Sequence, residues 1–549
     1  MVCRPPRRAV QRNLLLTPGL SQICHAARRQ GALTVRRNVD ILSLLGQQGV
    51  GGRANRFSPP VRSCNQRRPA VWYFMKPTAL VRELVSILGR DAVLWRPEDL
   101  MLYEYDGLSS LRPPDVVVFP RSTEHVVQVV KFAASRKLLV VPRGAGTGLS
   151  GGSLPWQGGI LIVFSRMKDI LEIDIENQRA RVQPGVVNLD LSLAVSDDGY
   201  YFAPDPSSQK ACTLGGNVAE NAGGPHTLLY GVTTNHVLGL EVVLPTGEVI
   251  HTGGKFWDPP GYDLTGLFVG SEGTLGIVTE ITVRLMRKAE TVATLLAVYE
   301  RVVDATRTVA AITARGITPA ALEMIDGFTL RAIEEATHAG YPMDSAAVLL
   351  IEVEGLREAV EENALQIESV CQEKMARQVR RAKSAEERDL LWKGRKNAFG
   401  ALGRISPSYY VQDGVIPRTR LPEMLEFIGQ VGTRYSVKIG NIFHAGDGNL
   451  HPIFLFDPRD ADESRRVREA AQEVLAKCIE MGGSITGEHG VGIEKINLMP
   501  LLFTADDLDM MRKIKGVFNS EGLFNPGKVF PTGKMCGELR IGAGAGGVL

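Results

Sequence analysis

Three of the chain's nine histidines fall in two short segments with a glutamate beside them. The first segment is Phe443-His444-Ala445-Gly446-Asp447-Gly448-Asn449-Leu450-His451-Pro452, and the second is Gly487-Glu488-His489-Gly490. His444 and His451 flank Gly446-Asp447-Gly448-Asn449, which is turn chemistry, so an antiparallel hairpin would set the two rings side by side. Two imidazoles and one carboxylate make the three protein ligands of an open, catalytic Zn²⁺-type site. A third imidazole is then left over for acid–base work near its ordinary pKa. The elements that must position them are a strand pair for the two histidines and a loop or strand end for Glu488-His489. That second piece follows the small-residue run Gly482-Gly483-Ser484-Ile485-Thr486-Gly487.

A chain of 549 residues exceeds one simple core, so two domains are expected. Its hydrophobic fraction of 44% is ordinary for a globular protein. No apolar run approaches the roughly 18 residues that span a bilayer, and Gly159-Ile160-Leu161-Ile162-Val163-Phe164 is instead a buried strand. Seven Cys are scattered with no Cys-x-x-Cys pair. That argues against a disulfide scaffold, a Cys-rich zinc site or a Cys-ligated iron–sulfur cluster on this chain, and it fits a reducing, cytoplasmic compartment.

The net charge of +3 hides two unlike parts. Thirteen of the 63 basic residues, all Arg, and one of the 60 acidic residues, Asp40, lie in the first 74, which leaves the remainder at net −9. An acidic body excludes nucleic-acid binding as the main activity. Residues 1–74 have no sustained amphipathic period and several Pro and Gly breaks, which is the composition of a disordered extension. Three origins fit it. It is a mitochondrial transit peptide, a basic arm for an anionic surface, or upstream sequence translated from a wrongly chosen start. The absence of Lys and the fresh start at Met75-Lys76-Pro77 favour the last.

Along the body, Leu80, Leu84, Ile87 and Leu88 predict a helical stretch over 75–110. Residues 115–142 predict strand–helix–strand, with Ser122 or Thr123 as the helix N-cap. Short strands and Gly-rich loops follow to about Leu285. From 290 to 500, helices such as 357–383 alternate with strands such as 347–353 and 452–456, an α+β pattern. A last helical segment begins near Asp506, and the Gly-rich tail after Lys534 is expected to be flexible.

The run Arg143-Gly144-Ala145-Gly146-Thr147-Gly148-Leu149-Ser150-Gly151-Gly152 directly follows a strand. It is not a Rossmann fingerprint, because Leu149 stands where the last small residue belongs and no helix opens after it. Such glycine density lets backbone N–H groups approach an anion. Further small-residue loops occur at 203–208, at 213–224 and at 268–279. Together they suit a long, phosphate-bearing ligand laid against backbone. This ordered set resembles the FAD-binding domain of the vanillyl-alcohol oxidase / p-cresol methylhydroxylase (PCMH-type) superfamily.

The resemblance implies FAD contacts from Arg143, Gly144, Ala145, Gly146, Thr147, Gly148, Ser150, Gly151 and Gly152 around the pyrophosphate. The later loops would line the adenosine and isoalloxazine ends. They would do so through Pro204, Ser207, Gly215, Gly216, Asn217, Asn221, Gly223, Gly224, Glu272, Gly273, Gly276, Ile277 and Val278, with Asn525 from the C-terminal segment. Some members tether FAD through a His or Cys. Cys212 and His226 are the nearest such residues here and neither matches the tether position, so non-covalent FAD is expected.

The pattern His444-Ala445-Gly446-Asp447-Gly448-Asn449-Leu450-His451, then Gly487-Glu488-His489-Gly490-Val491-Gly492, resembles the C-terminal cap of FAD-linked 2-hydroxy-acid dehydrogenases. Glycolate oxidase catalytic subunits, D-lactate dehydrogenases and D-2-hydroxyglutarate dehydrogenases share it, and the likeness covers about residues 80–533. It implies His444, His451 and Glu488 as ligands of a divalent metal such as Zn²⁺, and His489 as base. Arg395, shortly after Trp392, becomes the candidate to hold a substrate carboxylate, its alternative being a solvated helix charge.

The implied architecture is α+β. A two-subdomain PCMH-type FAD-binding domain (75–288) precedes an α+β cap with an antiparallel, ferredoxin-like sheet (289–505). Residues 506–533 then return to the FAD domain, and 534–549 form the tail. The implied activity is oxidation of glycolate or D-lactate. A D-2-hydroxyglutarate dehydrogenase, a transferase like alkylglycerone-phosphate synthase and a non-catalytic flavoprotein subunit are the alternatives. A companion flavin-domain subunit and an iron–sulfur subunit, with quinone or cytochrome beyond, are the implied route for electrons, and they could hold the chain at the inner membrane.

Overall fold

The computed structural model describes residues 78–531, apart from Ser109 and residues 257–259. The expectations for 1–74 and 534–549 lie outside the described residues. Among the described residues no helix is long and apolar enough to cross a membrane.

Within the stretch 75–110, regular helix is confined to Ala79–Leu88, which buries Val81, Leu84 and Leu88. Gly89, at φ 90°, ends it, and only short turns and a one-turn helix at Pro97–Leu100 follow. The strands β1 (Val93–Leu94), β2 (Val116–Val118), β3 (Val140–Arg143) and β4 (Ile160–Val163) form a sheet in the order β1-β2-β4-β3. Ser122 caps the helix Thr123–Ser135 by accepting the His125 N–H. The strand–helix–strand unit is present, but β4, fully buried, lies between its two strands and pairs parallel with both.

A second sheet takes β5 (Ile170–Asp174) and β6 (Arg179–Val182). After the short β7 (Tyr200–Tyr201), β8 (Val237–Val243), β9 (Val249–Gly253) and β10 (Ile277–Arg284) complete it in the antiparallel order β5-β6-β10-β8-β9. β11 (Met286–Arg287) pairs with β7. The stretch 213–224 is not loop throughout, since Leu214–Glu220 is helical. Thr213 accepts the Gly216 N–H at one end and Asn221 takes the left-handed conformation at the other. The two caps outweigh the poor helix propensity of Gly215 and Gly216.

The C-terminal half builds one large antiparallel sheet from β12 (Thr291–Tyr299), β13 (Ala321–Asp326), β14 (Ala347–Gly355), β15 (Gln378–Arg381), β16 (Ser408–Val411), β17 (Gly414–Val415), β18 (Lys438–His444) and β19 (Asn449–Phe456). Their order is β15-β12-β14-β13-β18-β19-β16, with β17 on β19. The long helix begun at Arg357 ends at Glu373, not at 383, because Met375 turns at φ 67° and Gln378–Arg381 becomes the edge strand β15.

Alternation along these strands separates two faces. One carries Leu295, Leu322, Met324, Leu349, Ile351, Phe443 and Phe454 under the helices Val302–Ala314, Arg357–Glu373, Leu421–Tyr435 and Ala461–Glu480. The other carries Leu296, Ala321, Ile325, Leu350, Ile442 and Ile453 under Gly327–Thr337, Ala385–Lys396 and Ala398–Leu402. Each fully buried Leu or Ile contributes about 1.5–3 kcal/mol.

This second face also holds, at matching parity, Thr294, Glu352, Glu323, His444 and His451, all buried. An unpaired carboxylate there would cost several kcal/mol, on the order given for buried ions, so each must be held by cations or N–H groups. The chain end returns to the first sheet, where Val140 N–H donates to Leu523 O and Asn525 N–H donates to Val140 O.

Candidate active site

The hairpin β18–β19 sets His444 opposite Asn449 and His451 opposite Ile442, so both rings leave the same face on a diagonal. Their centroids are 4.9 Å apart at 89°. The segment 484–492 brings Glu488 between them. Its Oε1 lies 3.3 Å from His444 Nε2 and 3.2 Å from His451 Nε2. The outer nitrogens are spoken for: His444 Nδ1 meets Glu323 Oε1 at 2.8 Å, and His451 Nδ1 meets the Gln412 carbonyl at 3.2 Å. With each Nδ1 so engaged, both Nε2 atoms face Glu488, and a bound metal would find them oriented as metal-ligating histidines are.

Burial disfavours charge on His444, yet Glu323 and Glu488 outweigh it and raise its pKa well above the ordinary value. Glu488 is buried as well, and His444 and His451 still hold its pKa well below ordinary. Its Oε2 is buried without a hydrogen-bond partner. Three donor atoms within 4.8 Å of one another fit a divalent cation, which would stand where the His444 proton faces Glu488. Asp413, His451 and His489 also come within 4.8 Å of one another. Asp413, however, is committed elsewhere.

Asp413 accepts the backbone N–H groups of Gly487 (3.1 Å), Glu488 (3.2 Å) and His489 (2.8 Å) and the Thr486 hydroxyl, with the Lys495 ammonium at 3.4 Å. It is fully buried. This carboxylate fixes the Glu488-His489 turn, and sequence reading missed its role. His489 stacks on His451 at 5.0 Å and 7°. Burial drives its pKa down to about 4, against the pull of Asp413, so the ring is neutral at neutral pH.

Arg395 is only 2% exposed. It is not a solvated helix charge: Nε and Nη2 lie 2.7 and 2.5 Å from Glu323 Oε2. Helix Ala385–Lys396 holds it over the sheet, and Arg395 and Lys396 both line a cavity of about 300 Å³. His451, Glu488 and His489 line it as well. Gly144, Ala145, Gly146, Thr147, Gly148, Ser207, Gly216 and Asn217 form its other walls.

A second cavity of about 80 Å³ is lined by Arg143, Gly152, Gly215, Glu272, Gly273, Gly276, Ile277 and Val278. Gly144, Gly216 and Glu220 belong to both. Arg143 is buried and its Nη1 has no partner, a cation edge suited to a phosphate oxygen. Gly146 has φ 72°, and a Cβ there would run into the Arg143 guanidinium.

The remaining expected contacts line neither cavity and tie loops together. The Ser150 hydroxyl donates to Gly490 O, and a Cβ on Gly151 would strike Ile493. Pro204 O accepts from Asn188, Asn221 Oδ1 accepts the Thr234 N–H, and Gly223 and Gly224 pass close to Glu488 and Asp205. Asn525 Nδ2 donates to the carbonyls of Gly152 and Glu272. Of the two tether candidates, His226 is held between Asp205 (3.0 Å) and Glu352 (3.3 Å), away from the cavity. Cys212 does line it, with burial pushing its thiol pKa up.

A glycine-walled double cavity joined to a cap that aims two imidazoles and a carboxylate at one point fits a flavin-binding oxidoreductase. Residues 114–253 match the family described as FAD binding domain, and residues 288–529 match FAD linked oxidases, C-terminal domain. The chain belongs to the FAD-linked oxidases and is an FAD-dependent oxidoreductase.

It is 47% identical over 448 residues to the glycolate oxidase subunit GlcD of Escherichia coli (strain K12), covering 81% of this chain and 90% of that one. It is 34% identical over 435 residues to a probable mitochondrial D-lactate dehydrogenase of Danio rerio, covering 77% and 86%. Its fold matches a substrate-bound p-cresol methylhydroxylase structure with a TM-score of 0.72 at 18% identity, covering 82% of this chain and 96% of that one. The α+β, PCMH-type architecture is therefore that of this chain.

Proposed function

We propose that this chain oxidises a small D-2-hydroxy acid, glycolate or D-lactate, to the 2-oxo acid. The observation that carries the proposal is the convergence of His444 Nε2, His451 Nε2 and Glu488 Oε1 beside the glycine-walled cavity, which His451 and Glu488 line. The substrates named for the relatives at 47% and 34% identity support the choice of acid.

His444, His451 and Glu488 would hold a divalent metal, Zn²⁺ by the character of the donors, which would lower the pKa of a hydroxyl group bound to it. The loops from Arg143 to Val278, braced by Asn525, would hold FAD without a covalent bond, and FAD would supply the acceptor for the α-hydrogen as hydride. His489, neutral at neutral pH and lining the cavity, would take the hydroxyl proton. Arg395 gives one edge to Glu323 and offers its remaining N–H donors to the substrate carboxylate. Electrons would then pass to partners, the companion flavin-domain subunit and iron–sulfur subunit that the family resemblance implies.

The test is an anaerobic flavin spectrum with glycolate, D-lactate, L-lactate and D-2-hydroxyglutarate added in turn. Loss of the oxidised flavin band with glycolate or D-lactate is expected. A bound flavin that none of the four acids reduces would sink the proposal and favour a transferase.

A further inference from the structure

Glu323 is the residue of this site that no motif announces. It lies on β13, fully buried, and the register Met324–Phe443 between β13 and β18 brings it across from His444. One carboxylate oxygen meets His444 Nδ1 at 2.8 Å, and the other meets Arg395 Nε at 2.7 Å. These two partners belong to different tasks, since His444 faces Glu488 at the metal end and Arg395 lines the cavity.

We infer that Glu323 is a positioning residue that couples the metal-binding end of the site to its carboxylate-binding end. This rests on the function proposed above. Through Oε1 it fixes the tilt of His444, holding Nε2 toward Glu488 and the metal the two would share. Through Oε2 it takes the Nε edge of the Arg395 guanidinium and turns the other donors toward the cavity. A planar carboxylate cannot satisfy both unless both rest in one geometry. Loosening either partner loosens the other, and affinity for metal and affinity for a hydroxy acid should fall together.

The simpler role is charge balance alone, a buried anion that neutralises a buried Arg395. Two variants separate the roles. Glu323→Gln keeps the shape but removes the charge. Glu323→Gln combined with Arg395→Met removes both charges, which restores balance and guards the fold. FAD content and a melting curve report folding. The measurement is the Zn²⁺ dissociation constant of the FAD-loaded protein, by competition with a chelator and without substrate, alongside His451→Ala.

Positioning predicts Zn²⁺ binding about 10- to 100-fold weaker in Glu323→Gln and still weak in the double variant. In Glu323→Gln the KM for the accepted hydroxy acid should rise in parallel. Recovery of tight Zn²⁺ binding in the double variant would reduce Glu323 to charge balance and overturn the coupling. Binding that His451→Ala abolishes but Glu323→Gln leaves unchanged would overturn this inference alone. An unaltered protein that binds no Zn²⁺ would overturn the metal site and the inference together.

Discussion

Glu323 and Glu352 are the same residue type on neighbouring strands, on one face of one sheet, and both are fully buried. Their surroundings differ. Glu352 accepts from Arg388 Nε and Nη2 at 2.8 Å each, from Trp392 Nε1 at 2.7 Å and from Thr294 at 2.7 Å, and it faces His226 Nε2 at 3.3 Å. Beyond it lie His226 and Asp205, which tie the cap to the loop at 203–208, with Lys396 Nζ 3.5 Å from Asp205. Glu323 has two partners, and beyond them lie the three-donor centre and the cavity. A saturated carboxylate joins parts of the fold, whereas a sparsely held one aims side chains that must act.

Helix Ala385–Lys396 serves both. Arg388, Trp392 and Arg395 fall at i, i+4 and i+7 and so descend on one face, two to Glu352 and one to Glu323.

The contrast is broken most easily at the acting end. His489→Ala should lower turnover by about 10²–10⁴-fold while FAD content and melting temperature stay near those of the unaltered protein. Normal turnover would remove His489 from the chemistry.

At the saturated end the effect should be on folding. Glu352→Ala leaves Arg388 and His226 without their shared anion, and a loss of about 3–5 kcal/mol in urea unfolding is expected, with Zn²⁺ affinity little changed in the protein that remains folded. A variant of full stability but weakened Zn²⁺ binding would reverse the roles assigned to the two carboxylates.

The smallest expected effect is a pH slope. Burial alone would lower the pKa of His226, but Asp205 and Glu352 outweigh it and raise it from the ordinary 6.5 to about 10. A pKa raised on folding stabilises fully below the unfolded value and less as pH climbs through the folded one. His226 should therefore cost the protein on the order of 1–3 kcal/mol of stability between pH 7 and pH 10. His226→Gln should flatten that part of the curve, and an unchanged slope in the variant would place the titration elsewhere.

The pairing of His444 with His451 was legible in sequence because a hairpin keeps them local: seven residues and a Gly-Asp-Gly turn specify the pair. The glycine loops were legible for a similar reason, since backbone-built sites leave runs of small residues. Glu323, Glu352 and Asp413 were not, because each enters alone on a separate strand or loop and meets its partner only through tertiary pairing. A trace was present nonetheless. Ala321-Leu322-Glu323-Met324-Ile325 and Leu349-Leu350-Ile351-Glu352-Val353 are apolar strands interrupted by one acid, which a sheet buried on both faces cannot tolerate without a partner. The helix at 214–220 was hidden by its glycines, and the edge strand β15 by the long helical period before it.

The most direct test of the account is the ratio of divalent metal to flavin in the purified holoprotein, measured by elemental analysis beside His451→Ala. One metal ion per FAD in the unaltered protein, lost in the variant with FAD retained, is the predicted result. FAD-loaded protein without metal that still oxidises a 2-hydroxy acid, or metal that survives the loss of His451, would contradict it.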